Sequence, residues 1–144
     1  MCGHDCIGDI VIREASELFE NGDLSYQALT KQELKNIFKT NRSTVSENIV
    51  SRLSLAGTQV KTGLVHTNNM GLSQSGWLRP QGLAAASHIM KISELRDIPE
   101  IEYVCMKAAK ACGLSVADVL LEDFGRQVLA VERFDRCVDQ SNQA

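Results

Sequence analysis

Proline and aromatic residues are scarce in this 144-residue chain: there are two prolines, Pro80 and Pro99, a single tryptophan, and 5% aromatics in all. Together with 44% hydrophobic and 23% charged residues, that scarcity argues against a disordered or proline-rich segment and for a folded domain. Long apolar runs are also lacking. None approaches the roughly 20 residues that cross a bilayer, and the opening "MCGHDCIGDI" has neither the basic start nor the apolar core of a secretory signal. Positive charge is not in excess: 15 Lys and Arg against 18 Asp and Glu leave a formal net charge of -3. No global field therefore draws the chain onto nucleic acid or an anionic membrane. No internal repeat or low-complexity tract is present.

The five cysteines, Cys2, Cys6, Cys105, Cys112 and Cys137, are odd in number and scattered. They read as reduced thiols in a reducing compartment, not as a disulfide framework, so a cytoplasmic protein is expected. Cys2, His4 and Cys6 are good zinc donors, but no second pair of ligands accompanies them and structural zinc takes four. No metal site is expected. At this length one domain can bury about 70% of the surface its unfolded chain exposes.

Along the chain, "CIGDIVI" reads as a short strand and "REASELFENG" as a short helix or turn ending at Gly22. Thr30 opens a clearer helix, with Glu33 three residues on as a capping box and Leu34, Ile37 and Phe38 on one face. "NRSTVSENIVSRL" follows neither period. From Arg52 the pattern turns to strands: "RLSL", "TGLVHT", the turn-rich "NNMGLSQSG", then "SHIMKI". The spacing predicts a helix over Asp97 to Cys112, because Ile101, Val104, Cys105, Ala108, Ala109 and Cys112 form one apolar stripe. Asp97 should cap it, Pro99 suits its first turn, and Gly113 suits a left-handed stop. "DVLLEDF" and "VLAVERF" read as two strands joined by a turn at Gly125.

Four features could carry chemistry. "SLAGTQVKT", Ser54 to Thr62, offers a glycine, a lysine and the amides between them, as a phosphate cradle needs. It matches neither familiar glycine-loop pattern, since Gly57 to Lys61 is one residue short of a Walker A loop and Gln59 and Thr62 stand where the other pattern has glycines. Spacing alone reads as a structural turn. Lys91 lies in "HIMKI", where alternation puts Ile89 and Lys91 on one face and His88, Met90 and Ile92 on the other. It points into a cleft or simply outward. Glu102 sits early in the following helix, where a carboxylate is favourable with the helix dipole alone. In protein kinases, however, a strand lysine on the ATP phosphates is held by a glutamate of the next helix. The last feature is "AVERFDR", Ala130 to Arg136, where a buried strand turns polar. It reads as a solvated strand end or as a kinase hinge.

Taken in order, "SLAGTQVKT", "HIMKI", "EYVCMKAAKACGLSV" and "LAVERFDR" resemble the HipA family of bacterial serine/threonine kinases, the toxins of toxin–antitoxin systems. "CGHDCIGDI" resembles the end of that family's N-terminal subdomain. The resemblance implies an α+β fold: a kinase-like N-lobe with a small antiparallel sheet and one main packed helix, preceded by a short, mostly helical segment. Residues 1–50 would be a remnant of the N-terminal subdomain with connecting helices, and residues 51–144 the N-lobe, ending just after the hinge. Ala56, Gly57, Thr58, Gln59, Val60 and Lys61 would close over ATP phosphates. Lys91 would contact phosphate, Glu102 would orient Lys91, and Glu132, Arg133 and Phe134 would form the adenine hinge. Ser54 matches a loop serine whose autophosphorylation switches these kinases off, since a dianionic phosphate there competes with those of ATP.

The family's catalytic Asp and its metal-binding Asn and Asp belong to a C-lobe beyond the hinge, which this sequence does not contain. The expectation is therefore a truncated kinase chain that binds ATP weakly and is inactive alone, with Mg²⁺ entering only if a separately encoded C-lobe is supplied. A non-catalytic module binding a HipB-like antitoxin or a kinase partner is the alternative, with "REASELFENGDLSYQALTKQEL" as its polar helical surface. A gene remnant is the third. No direct contact with nucleic acid or membrane is expected.

Overall fold

The computed structural model describes residues 24–39, 59–69, 71, 73–82, 84–93 and 97–136. Among these residues eight elements follow in order: β1 (Leu24–Ala28), α1 (Lys31–Lys39), β2 (Gln59–His66), β3 (Trp77–Gly82), β4 (His88–Ser93), α2 (Ile98–Ala111), β5 (Val119–Asp123) and β6 (Gln127–Glu132). The strands make one six-stranded antiparallel sheet in the order β1-β3-β2-β4-β6-β5, so the fold is α+β. The segments "CIGDIVI", "REASELFENG", "NRSTVSENIVSRL" and "RLSL" lie outside the described residues.

Local chemistry accounts for α1. The Thr30 hydroxyl accepts from the Glu33 N–H at 3.2 Å, and the Glu33 carboxylate accepts from the Thr30 N–H at 2.8 Å. This reciprocal box satisfies donors that a helix start otherwise leaves bare. The Thr30 N–H, and the Thr30 hydroxyl donating to the same oxygen at 2.8 Å, hold the Glu33 carboxyl below its ordinary range. Leu34 and Phe38, one turn apart, are fully buried and join Leu64, Met90, Ile92, Val128 and Ala130 in the main core. Phe38 stacks on Phe124 with ring centres 5.5 Å apart. That core fills the space between α1 and the even-numbered face of β2 and β4, as strand alternation requires.

β2 is where the sheet changes neighbours. Gln59 to Leu64 pair with β4, whereas only Val65 and His66 pair with β3. β3 then continues alone against β1, Leu24 to Ala28 against Leu78 to Gly82. Neither β1 nor β3 is legible in the sequence. Pro80 argues against a strand, but it sits where β2 no longer runs alongside, so its missing N–H leaves no second neighbour short of a ladder bond. "LSYQA" is a strand and not part of a polar helical surface, because Trp77 O accepts from the Leu29 N–H at 3.0 Å and draws the chain beside β3. β1, from the first fifty residues, thus shares one sheet with the rest.

α2 differs from expectation in which side it buries. Ile101 is 54% exposed and Val104 62%, and Cys105, Ala108 and Cys112 are exposed as well. The side laid over β4, β5 and β6 instead carries buried Pro99 and half-buried Glu102, Met106 and Ala109. Asp97 does precede the helix, yet its side chain makes no capping bond: it stands in the left-handed region at φ 61°, and its carbonyl accepts from the Ile101 N–H at 2.9 Å. Gly113, at φ 80°, closes the other end as expected, with the Leu114 N–H donating to Ala109 O at 3.1 Å. At the β5–β6 turn Gly125 has φ 86° and donates its N–H to the Asp123 carboxylate at 2.8 Å.

Candidate functional site

Lys91 lies mid-way along β4, on the face away from the α1 core. Its neighbours Met90 and Ile92 point into that core at 0% and 4% exposure, so alternation turns Lys91 to the side where α2 lies. There its ammonium forms an ion pair with the Glu102 carboxylate, and both side chains are largely enclosed, at 20% and 29% exposure. This explains why α2 buries a charged face. A half-buried ammonium with no partner costs far more than leaving valine and isoleucine wet, and Glu102 is the group that satisfies it.

Lys61 completes the arrangement. In the β2–β4 ladder it is the direct partner of Lys91, so both lysines leave the same face of the sheet. Lys61 is half-buried and makes no ion pair with a described carboxylate. Two cations with one neutralising carboxylate leave a net positive spot, a natural seat for phosphate oxygens. The register also revises the extent of the loop. Gln59, Val60 and Lys61 are ladder residues, opposite Ser93, Ile92 and Lys91, while Ser54, Ala56, Gly57 and Thr58 lie outside the described residues.

The "AVERFDR" segment is built differently from a solvated strand end. Arg133 is 5% exposed and forks onto Asp135, Nε to Oδ1 at 2.9 Å and the terminal nitrogen to Oδ2 at 2.7 Å. The backbone donors on either side of the strand end are committed within the protein: Glu132 N–H to Asp118 O and Arg133 N–H to Ser87 O, each at 2.8 Å. Phe134 is 95% exposed. The segment is therefore a braced strand exit that presents one aromatic ring to solvent. Leu129, opposite Lys91, lies three residues before Glu132, which places the exit about 10 Å along β6 from the lysine pair. The bracing by Ser87 and Asp118 has no sequence signal, because each comes from a separate loop, whereas Asp135 lies two residues from Arg133 within the segment. Lys110 likewise ties the end of α2 to Asp118, and that bond holds the Asp118 carboxyl below its ordinary range.

A separate cavity of about 380 Å³ opens on the α1 side, between Lys31, Lys35, His66, Asn68, Ser75 and Asp123. None of the residues expected at a nucleotide lines it. Among the described residues no three metal-binding side chains cluster, and no helix is long and apolar enough to cross a membrane. Cys2, His4 and Cys6 lie outside the described residues.

The family described as "HipA-like C-terminal domain" matches residues 53–143, which takes in β2 to β6, the lysine pair, α2 and the strand exit. The chain belongs to the HipA family. Its similarity to the serine/threonine-protein kinase toxin HipA of Shewanella oneidensis is 35% identity over 86 residues, covering 59% of this chain and 18% of that protein. Among solved structures, HipA in the Shewanella oneidensis complex of HipA, HipB and operator DNA superposes with a TM-score of 0.71 at 26% identity, over 98% of this chain and 32% of that one. This HipA-family chain thus spans a third or less of the relatives it matches. The superposition over nearly the whole chain takes in β1 and α1 as well.

Proposed function

We propose that this HipA-family chain is the ATP-facing part of a toxin serine/threonine kinase, and that it does not transfer phosphate alone. The observation that carries the reading is Lys91, paired with Glu102 and flanked by Lys61 on one face of the sheet. ATP, when bound, supplies the transferable γ-phosphoryl group. Lys91 and Lys61 hold phosphate oxygens, and Glu102 keeps the Lys91 ammonium turned to that face. The loop of Ala56, Gly57 and Thr58 covers the phosphates from the start of β2. At the strand exit Phe134 shields the base. Because the N–H groups of Glu132 and Arg133 are already engaged, the base edge is met by carbonyls and by Phe134. The distance between exit and lysine pair suits a nucleotide laid with its base at one end and phosphates at the other.

Phosphoryl transfer also needs a general base and metal ligands. These belong to the part of the HipA fold that this chain does not span, so Mg²⁺ becomes relevant when a catalytic lobe is supplied. Ser54 is the residue whose phosphorylation would displace the loop. The test is a nucleotide titration followed by a γ-phosphate transfer assay. The expected result is weak ATP binding that Lys91→Met lowers about tenfold, as loss of one charge-assisted bond does, with no transfer by either form. Robust magnesium-dependent phosphorylation by the isolated chain overturns the proposal.

A second reading rests on the neighbouring structure, in which a HipA is solved with HipB and DNA. Here the chain is an interaction module for a HipB-like antitoxin, and with a net charge of -3 it leaves DNA contact to that partner. Capture of a HipB-like protein that survives loss of Lys91 and of the 54–58 loop favours this reading over the first.

A further inference from the structure

The cavity on the α1 side is assembled from three parts of the chain that lie far apart in sequence. α1 brings Lys31 and Lys35, the end of β2 and the start of β3 bring His66 and Gly76, and β5 brings Glu122. Glu122 shares a face of its strand with Phe124, whose buried ring stacks on Phe38 of α1 and closes the space beside it. His66 likewise lies on the opposite face of β2 from Lys61. The cavity is therefore separate from the lysine pair and stands apart from the nucleotide reading.

Its charged groups are not satisfied by one another. Lys31 and Lys35, one turn apart on the same side of α1, make no ion pair with a described residue. Glu122 is half-buried, yet its carboxylate has neither an ion pair nor a hydrogen bond among the described residues. Opposite charges thus face one cavity and are held too far apart to meet. His66 adds a half-buried imidazole of which neither ring nitrogen is hydrogen-bonded to a described residue. Gly76 keeps that ring open, since a Cβ added there would stand 3.7 Å from Nε2.

Charge balance and size identify what the cavity fits. Two lysines are offset by Glu122 and Asp123, so a pure anion meets the acids and a pure cation meets the lysines. A molecule carrying both charges suits both walls. The volume of about 380 Å³ lies at the small-molecule end of binding pockets, and a compact space of that volume is about 9 Å across. Two charge-assisted bonds of about 2.8 Å each, with the roughly 3 Å between the ammonium and carboxylate of an α-amino acid, span the same width. We propose that this cavity binds a free α-amino acid, its carboxylate held by Lys31 and Lys35 and its ammonium by Glu122. The open edge of the His66 ring supplies a further hydrogen bond.

The test is a titration of the full chain with L-alanine, followed through the backbone amide signals by NMR. The expected result is saturable shifts at Asn68, Ser75 and Gly76, which line the cavity, with a Kd on the order of 1 mM. Lys61 and Lys91, on the other face, should not move. N-acetyl-L-alanine lacks the ammonium and L-alanine amide lacks the carboxylate, so each should bind at least roughly tenfold more weakly. Glu122→Gln should weaken L-alanine about tenfold and leave N-acetyl-L-alanine unchanged. Three outcomes overturn the proposal: no saturable shift up to about 50 mM, N-acetyl-L-alanine binding as tightly as L-alanine, and Glu122→Gln without effect. The second would make the cavity a site for anions only. Comparing the three ligands needs no substitution, so a misfolded variant cannot imitate the expected pattern.

Discussion

Acidification should destabilise this protein through His88, by an amount that the structure allows to be worked out. The ring sits edge-on to Trp77 with centres 5.4 Å apart and 5.7 Å from the His66 ring, and its Nδ1 is 2.8 Å from the Ser87 hydroxyl. Burial chiefly, and the nearby His66 secondarily, disfavour the imidazolium and lower the pKa from 6.5 to about 4. The folded protein therefore keeps His88 neutral where the unfolded chain would protonate it. Its contribution is fully present above pH 6.5 and is lost progressively as pH falls from there towards 4. Between pH 7 and pH 5 the linkage amounts to about 2 kcal/mol at most, and to about 1 kcal/mol once the solvent still reaching the ring is allowed for. Trp77 is the only tryptophan and is 1% exposed, so its fluorescence reports unfolding directly. Urea titrations of the wild type and of His88→Gln at pH 7 and pH 5 should show the wild type losing about 1 kcal/mol more than the variant. Equal losses would refute the assignment, because His88→Gln removes the titrating group and leaves the carboxylates in place.

Two further expectations concern the frame that holds the site. Met90→Ala should cost roughly 2–5 kcal/mol in urea unfolding, because Met90 is fully buried between β4 and α1 and its removal leaves a cavity; a loss below about 1 kcal/mol would mean that the core can collapse around it. Thr30→Ala should cost about 1 kcal/mol by removing the hydroxyl half of the capping box, whereas Thr30→Ser should be nearly neutral, measured the same way.

The opposed lysines and the outward stripe of α2 have one origin. Lys91 faces α2, so α2 must bring a carboxylate to it, and with Glu102 turned inward the helix can bury only what shares that side. Ile101, Val104 and Cys105 are left outside as a consequence. The Lys91–Glu102 pair and the exposed apolar surface are two results of placing one buried charge.

Much of this was readable from residue patterns. The α1 capping box, the alternation of "HIMKI", the Gly113 and Gly125 turns and the order of Lys91 before Glu102 are local, and local spacing carries them through 3.6- and 2-residue periods. Other features were not readable. Pro80 hid β3, since only the sheet shows that β2 ends beside it, and "LSYQA" became a strand only through pairing with that hidden neighbour. The α2 stripe misled for a different reason: periodicity shows that a helix has an apolar side but not that this side meets the protein's own core.

By itself, then, the sequence determined where helices and strands could form, which residues carried charge, and the succession of motifs that marks a HipA-family chain. Tertiary structure decided the partners. It set Lys61 directly across from Lys91, fastened Arg133 to Asp135 beneath an exposed Phe134, and turned α2 so that a charge, not the apolar stripe, met the sheet. Periodicity is a property of one element, whereas satisfying a half-buried ammonium requires a second element to arrive, and that requirement exists only once the chain has folded.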